Sequence, residues 1–198
     1  MRPSQHPSPA PTPLHLIVAG VAGGVGTTTV AAALARTLAA AMPGRVGLLD
    51  HDGGTLFARA GVWSDDLRWA RPGTASVHVQ CLGSAAAALQ RVPPSTPGLV
   101  ALVVAPWHKD GLRLAAGVVA GAAAVEPLIL LDDVTRARDG QEPAVRSRLG
   151  LPYDRALAAP GALQDDRASH TVRTAVGRAA DEVLRRAGSR EPAVPHQG

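Results

Sequence analysis

One cysteine, one lysine and few aromatic side chains set the first limits on this chain. Cys81 has no partner for an internal disulfide, so a reducing, cytoplasmic setting is the expectation. Lys109 is the only lysine among 20 basic side chains, which leaves 19 arginines, and any chemistry that needs a lysine must find it there. Aromatics make up 3%, so Ala, Val and Leu must build the core, and stacking platforms for nucleic-acid bases are scarce. The longest apolar run, 114–125, is 12 residues, short of the roughly 18 that span a bilayer. No transmembrane segment is expected. Pro3, Pro7, Pro9, Pro11 and Pro13 stand where a secretory signal would need an unbroken apolar stretch, so export is not expected.

What remains is a globular composition. Hydrophobic residues reach 46% and charged ones 18% of 198 residues, enough for one domain with a substantial core. The net charge is +4 and the isoelectric point about 10.5, yet the arginines are dispersed rather than clustered, and no specific nucleic-acid partner is expected. Residues 1–13 and 188–198 are rich in Pro and polar residues and read as tails, leaving one domain over 14–187. Within it the pattern predicts a strand over 14–19, a Gly-rich turn over 20–26, a helix over 27–41 closed by Pro43-Gly44, and a strand over 45–49. That is a strand–helix–strand unit, which implies a parallel sheet with right-handed crossovers. Further strands are expected over 76–82, 99–105 and 127–131, with helices over 84–91, 111–124 and 169–186. Near-continuous apolar strands imply helices on both sheet faces, hence a three-layer α/β domain.

The turn Gly20-Val21-Ala22-Gly23-Gly24-Val25-Gly26-Thr27-Thr28-Thr29 sits between a strand and a helix. Glycines there let successive N–H groups converge on an anion, and the helix start adds its positive end. A turn of this kind also occurs with no ligand at all. The spacing Gly20-x-x-x-Gly24-x-Gly26 is similar to the dinucleotide fingerprint of short-chain dehydrogenases, with Asp50 where a ribose-binding acid would stand. Those enzymes need a Tyr and a Lys four apart, and Tyr153 and Lys109 are not so placed. Dinucleotide binding without that chemistry stays open as an alternative.

The run Gly23-Gly24-Val25-Gly26-Thr27-Thr28-Thr29-Val30-Ala31 resembles the deviant phosphate loop of the MinD/ParA superfamily, Lys-Gly-Gly-Val-Gly-Lys-Thr-Thr, and in particular its CpaE (TadZ) branch of pilus-assembly and septum-site proteins. Val46-Gly47-Leu48-Leu49-Asp50-His51-Asp52 is similar to that family's Asp-x-Asp strand end, and Pro152-Tyr153-Asp154 to a triplet that follows its last strand. The resemblance implies a P-loop NTPase-like fold with a mostly parallel sheet flanked by helices. It also implies ATP with Mg²⁺ as the ligand, Gly23, Gly24, Val25, Gly26, Thr27, Thr28 and Thr29 as the nucleotide-binding loop, and Thr28, Asp50 and Asp52 as the metal-holding set.

Three departures bear on the chemistry. In active members a loop lysine reaches the β- and γ-phosphates, a signature lysine reaches across a dimer, and acids and a hydroxyl hold Mg²⁺. Here Thr27 and Ala22 stand at the two lysine positions, and Cys81 stands where the second acid would precede Leu-Gly. Each lost group typically costs on the order of 10² to 10³ in rate. The implied protein is therefore a non-hydrolysing localisation or assembly scaffold with a protein partner and a homodimer as its expected associations. The alternative is a slow ATPase cycling between monomer and dimer with a borrowed arginine, Arg45 and Arg113 being available.

Several features admit plain readings. Asp50 and Asp52 also fit a chain re-entering water after a strand. His51, His78 and His108 lack ligand spacing, and neither zinc nor haem is expected. Cys81 reads as a buried, inert thiol. Trp63 and Trp69, flanking Asp65, Asp66 and Arg68, either anchor a partner interface or cover an edge of the core. The last helix carries Arg173, Arg178, Arg185 and Arg186 opposite an Ala/Val stripe. That pattern invites comparison with a peripheral membrane helix, but the stripe's composition favours docking on the sheet.

Overall fold

Residue alternation along the first strand sets two faces for everything that follows. A computed structural model describes residues 12–51, 53, 55–62, 66, 68–71, 73–93, 96–122, 127–133 and 148–189. In it β1 spans Leu14–Gly20, with Leu14, Leu16 and Val18 entering one apolar cluster and Ile17 and Ala19 the other. β4 (Leu99–Pro106) divides likewise, Val100, Leu102 and Val104 against Ala101, Val103 and Ala105. Strands apolar on both faces must be covered twice. Helices α1 (Thr27–Ala41), α2 (Thr55–Ala60) and α5 (His170–Ser189) cover the first face, while α3 (Lys109–Gly121) and a 3₁₀ turn at Ala86–Arg91 cover the second. The result is a three-layer α/β domain consistent with a P-loop NTPase-like fold.

The remaining strands are β2 (Val46–Asp50), β3 (Val77–Cys81), β5 (Leu128–Asp132) and β6 (Arg148–Leu151). The sheet runs β2-β3-β1-β4-β5-β6 with every neighbouring pair parallel. The chain leaves β1 through α1 toward one edge, whereas β4 leads through α3, on the opposite face, toward the other. Loops that depart in opposite directions open a crevice at the carboxyl ends of the strands beside β1.

The helix over 27–41 is observed as expected, and the strands shift by at most one residue at either end. Other boundaries moved for local reasons. The helix expected over 84–91 is a 3₁₀ turn beginning at Ala86, because Ala85 before it has no side chain with which to cap a helix and Pro93 follows closely. α3 begins at Lys109 rather than 111, since His108 Nδ1 accepts from Gly111 N at 3.2 Å and caps it. The expected end of that helix, 122–124, gives way to Ala122 as its cap, with 123–126 outside the described residues. α5 runs to Ser189, past the expected end at 186 and into the expected tail. Two short elements, α2 and α4 (Arg155–Ala158), had no counterpart in the sequence reading, whereas β6 lies directly before Pro152-Tyr153-Asp154, where the resemblance implies a last strand. Residues 1–11 and 190–198, Trp63 and Asp65 lie outside the described residues.

α5 docks on the sheet and α1 through Val172, Val176, Ala179 and Val183, all buried. Each fully buried Val contributes about 1.5 kcal/mol or more, so this face is committed to the core. Trp69 is also buried, bridged to Val46 at the β2 edge, and so covers core. No helix among the described residues is long and apolar enough to cross a membrane.

Candidate functional site

The loop after β1 is shaped by its glycines. Gly24 and Gly26 have φ of 74° and 83°, a backbone region that side chains disfavour. Between them Val25 turns the opposite way, 5% exposed and packed in the first-face core. Gly20 is required by proximity, since a Cβ there would stand 2.1 Å from Thr27 Oγ1 and 2.8 Å from Val25 Cγ2. Val25 and Thr27, both buried, thus fold inward and hold the loop from beneath.

α1 begins at this loop without a side-chain cap and with no acid in its first turn. Val30 N to Gly26 O, 2.9 Å, is the first helical bond, so the N–H groups of Thr27, Thr28 and Thr29 precede the helix's own ladder. A helix start left in this state is a site of positive potential. It opens on a cavity of about 660 Å³, the size class of small-ligand sites. The cavity is lined by Ala22, Gly23, Gly24, Gly26, Thr27, Thr28 and Thr29, by Gly83 and Ser84 after β3, by Asp132 at the end of β5, by residues 152–154 and 157–161, and by Thr55 and Arg59 of α2. Val25 alone of the expected loop residues does not line it; its contribution is the anchor below.

Among the described residues the charged groups at the cavity are Arg59, Asp132 and Asp154. Arg59 is held by the 157–161 segment. Its Nη1 donates to the carbonyls of Ala159 and Gly161 (2.6 Å to the latter), its Nη2 to the carbonyl of Leu157, and its Nε to Thr29 Oγ1 at 3.3 Å. Burial pushes this guanidinium below its usual pKa. Asp154 is committed too. It caps α4 by accepting from Ala156 N at 2.7 Å and accepts from Ser169 N at 2.9 Å. Burial would raise its pKa, but these hydrogen bonds outweigh it and hold the carboxyl below the ordinary range. Asp132 is different: 6% exposed, pushed up to about 7 by burial and by the adjacent Asp133.

Of the metal set implied by the resemblance, Thr28 lines the cavity and lies 4.0 Å from the buried Cys81 Sγ, which confirms that β3 brings residue 81 beside the loop hydroxyl. Asp50 does not line it. β2 is separated from β1 by β3, and Asp50 Oδ2 accepts from Leu56 N at 2.7 Å, fixing the start of α2. Asp52 is outside the described residues. Among the described residues no group of three His, Cys, Asp or Glu is placed to hold a metal. His108 is a helix cap, His51 pairs with Gln80, and His78 stacks on His15 at 4.9 Å between ring centres.

Neither of the arginines considered from sequence, Arg45 and Arg113, lines the cavity; Arg59 does. Its signal was weak, because α2 has only six residues. Asp132 was readable as an acid ending an otherwise apolar strand. No protein-family model matches the chain, and no curated protein matches it.

Proposed function

We propose that this chain is a nucleotide-binding P-loop protein of MinD/ParA type, closest in kind to the CpaE branch, that holds a nucleoside triphosphate without hydrolysing it and acts as a localisation or assembly scaffold through a protein partner. One observation carries the reading: a nucleotide-sized cavity whose phosphate end is main chain, the glycine loop and the uncapped start of α1. Backbone N–H groups and a helix start bind phosphate without a cationic side chain.

The same site lacks what turnover requires. Thr27 takes the loop lysine's position and folds toward Gly20, Cys81 takes the acid's, and Arg59, the cation nearest to hand, is occupied by three carbonyls. Phosphoryl transfer depends on neutralising charge as it develops, so binding survives these losses far better than rate does. Equilibrium dialysis against a radiolabelled nucleoside triphosphate, with phosphate release measured on the same sample, tests this. Saturable binding with release at the buffer blank is expected; steady release would overturn the scaffold reading.

The presence of Arg59 at the cavity favours one second reading, a slow ATPase that redeploys this arginine and dimerises on nucleotide. It predicts a nucleotide-dependent shift on a sizing column and loss of turnover in Arg59→Ala.

A further inference from the structure

We infer that Arg59 is a positioning residue that links the glycine loop to the 157–161 segment, so that phosphate seated on the loop makes that segment more ordered. The inference rests on the nucleotide reading above. It adds a way for a filled site to be signalled at the surface without hydrolysis.

Arg59 is the tether of this segment. At its near end Asp154 caps α4 through Ala156 N. At its far end Leu163 N donates to the carbonyl of Arg59 at 2.9 Å, and Asp165 pairs with Arg36 at 2.6 Å. Between these fixed points the carbonyls of Leu157, Ala159 and Gly161 all accept from the one guanidinium. Ala158, Ala159, Pro160, Gly161 and Ala162 are exposed, so a change in their order is presented to solvent.

The remaining donor of the same group reaches the loop. Arg59 Nε donates to Thr29 Oγ1 at 3.3 Å, and the N–H of Thr29 is one of the three that precede the ladder of α1. One residue therefore carries both a phosphate-binding amide and the hydroxyl that holds Arg59.

Two effects of a phosphate at that amide act in one direction. A hydroxyl is donor and acceptor at once, so donating to the anion leaves the Thr29 oxygen a better acceptor for Nε. The acceptors around the guanidinium are otherwise neutral, and among the described residues no carboxylate pairs with it, so an anion on Thr29 N–H supplies a counter-charge nearby while Arg59 keeps its carbonyls. The donors of a guanidinium are fixed in one plane, so holding it more firmly at Nε holds its three carbonyl partners more firmly as well.

The test is amide hydrogen exchange of the full chain, followed by NMR, with and without saturating sodium tripolyphosphate. This probe has neither base nor sugar with which to cover the segment directly. Exchange at 157–161 should slow about tenfold in the wild type. Thr29→Val keeps the amide and loses the acceptor, so the probe should still shift Gly23 and Gly24 without slowing 157–161, whereas Thr29→Ser should restore the slowing. Arg59→Lys leaves the loop intact and decides the matter should Thr29→Val fail to fold or bind: the probe should bind with no slowing at 157–161. A structural role alone would change the exchange rate of the free protein but not its response to the probe. Binding without slowing in the wild type, or equal slowing in Arg59→Lys, overturns the inference and leaves the nucleotide reading standing. A probe that shifts no loop amide in the wild type overturns both.

Discussion

Replacing Asp132 by Asn should stabilise the free protein, and by an amount that depends on pH. The carboxyl is raised from its ordinary 3.8 to about 7, first by burial and then by Asp133. The folded state therefore holds a proton that the unfolded chain releases across the interval between those values. As pH rises from 4 to 7, the folded wild type must either keep that proton against the solvent or bury a charge, so it loses stability at about 1.4 kcal/mol per pH unit. The full effect approaches about 4 kcal/mol, and between pH 5 and pH 8 it is about 3 kcal/mol. The Asn variant lacks this proton, so its stability relative to wild type should rise by that amount over the same interval. Glu182 and Asp66, hydrogen-bonded to Arg185 and Arg68, are held at about 2, so their contribution is lost only as pH falls from their ordinary values of 4.5 and 3.8 toward about 2, below the pH range compared. Urea unfolding of both proteins at pH 5, 6, 7 and 8 gives the difference directly. A difference that stays flat across this range would refute the claim that Asp132 is buried and protonated near neutrality.

Further outcomes follow from the loop and its walls. Gly20→Ala places a methyl 2.1 Å from Thr27 Oγ1, so the protein should lose about 1–3 kcal/mol in thermal or urea unfolding and lose triphosphate binding in dialysis. Val25→Ala removes the loop's anchor in the core; a loss of about 1–3 kcal/mol with weakened triphosphate binding is expected, although Val25 does not line the cavity. Arg59→Ala frees the carbonyls of Leu157, Ala159 and Gly161, and hydrogen exchange at 157–161 should quicken while exchange in β1 and β4 is unchanged. Asp50→Ala should unfasten α2 at Leu56 N with a loss of about 1–2 kcal/mol, measured by urea unfolding, and little change in triphosphate affinity.

Most of the layer order was legible because it depends on long apolar runs. The 99–105 run is apolar at every position, and only a strand buried on both faces can use it, which is how β4 comes to lie at the sheet's centre. The glycine loop was equally readable, since the positive φ at Gly24 and Gly26 requires residues without a Cβ. What escaped was short or conditional on tertiary packing. α2 has six residues and one firm apolar anchor pair, Leu56 and Ala60, and Asp50, on the preceding strand, holds Leu56 N near its start. The commitment of Asp50 to that task was invisible in an Asp-x-Asp pattern that fits metal binding equally well. Arg59 could not be chosen over Arg45 or Arg113, because its partners lie about a hundred residues away in sequence, on the 157–161 segment. His108 as a helix cap is an uncommon use of histidine that residue preferences do not favour.

The central claim is that main chain, not a cationic side chain, grips the phosphates. Backbone amide chemical shifts of the full chain, followed by NMR as a non-hydrolysable nucleoside triphosphate is added, test it most directly. The account predicts saturable shifts concentrated at the amides of Gly23, Gly24, Gly26, Thr27, Thr28 and Thr29. Saturable binding that leaves those amides unmoved, or no binding at millimolar nucleotide, would contradict it.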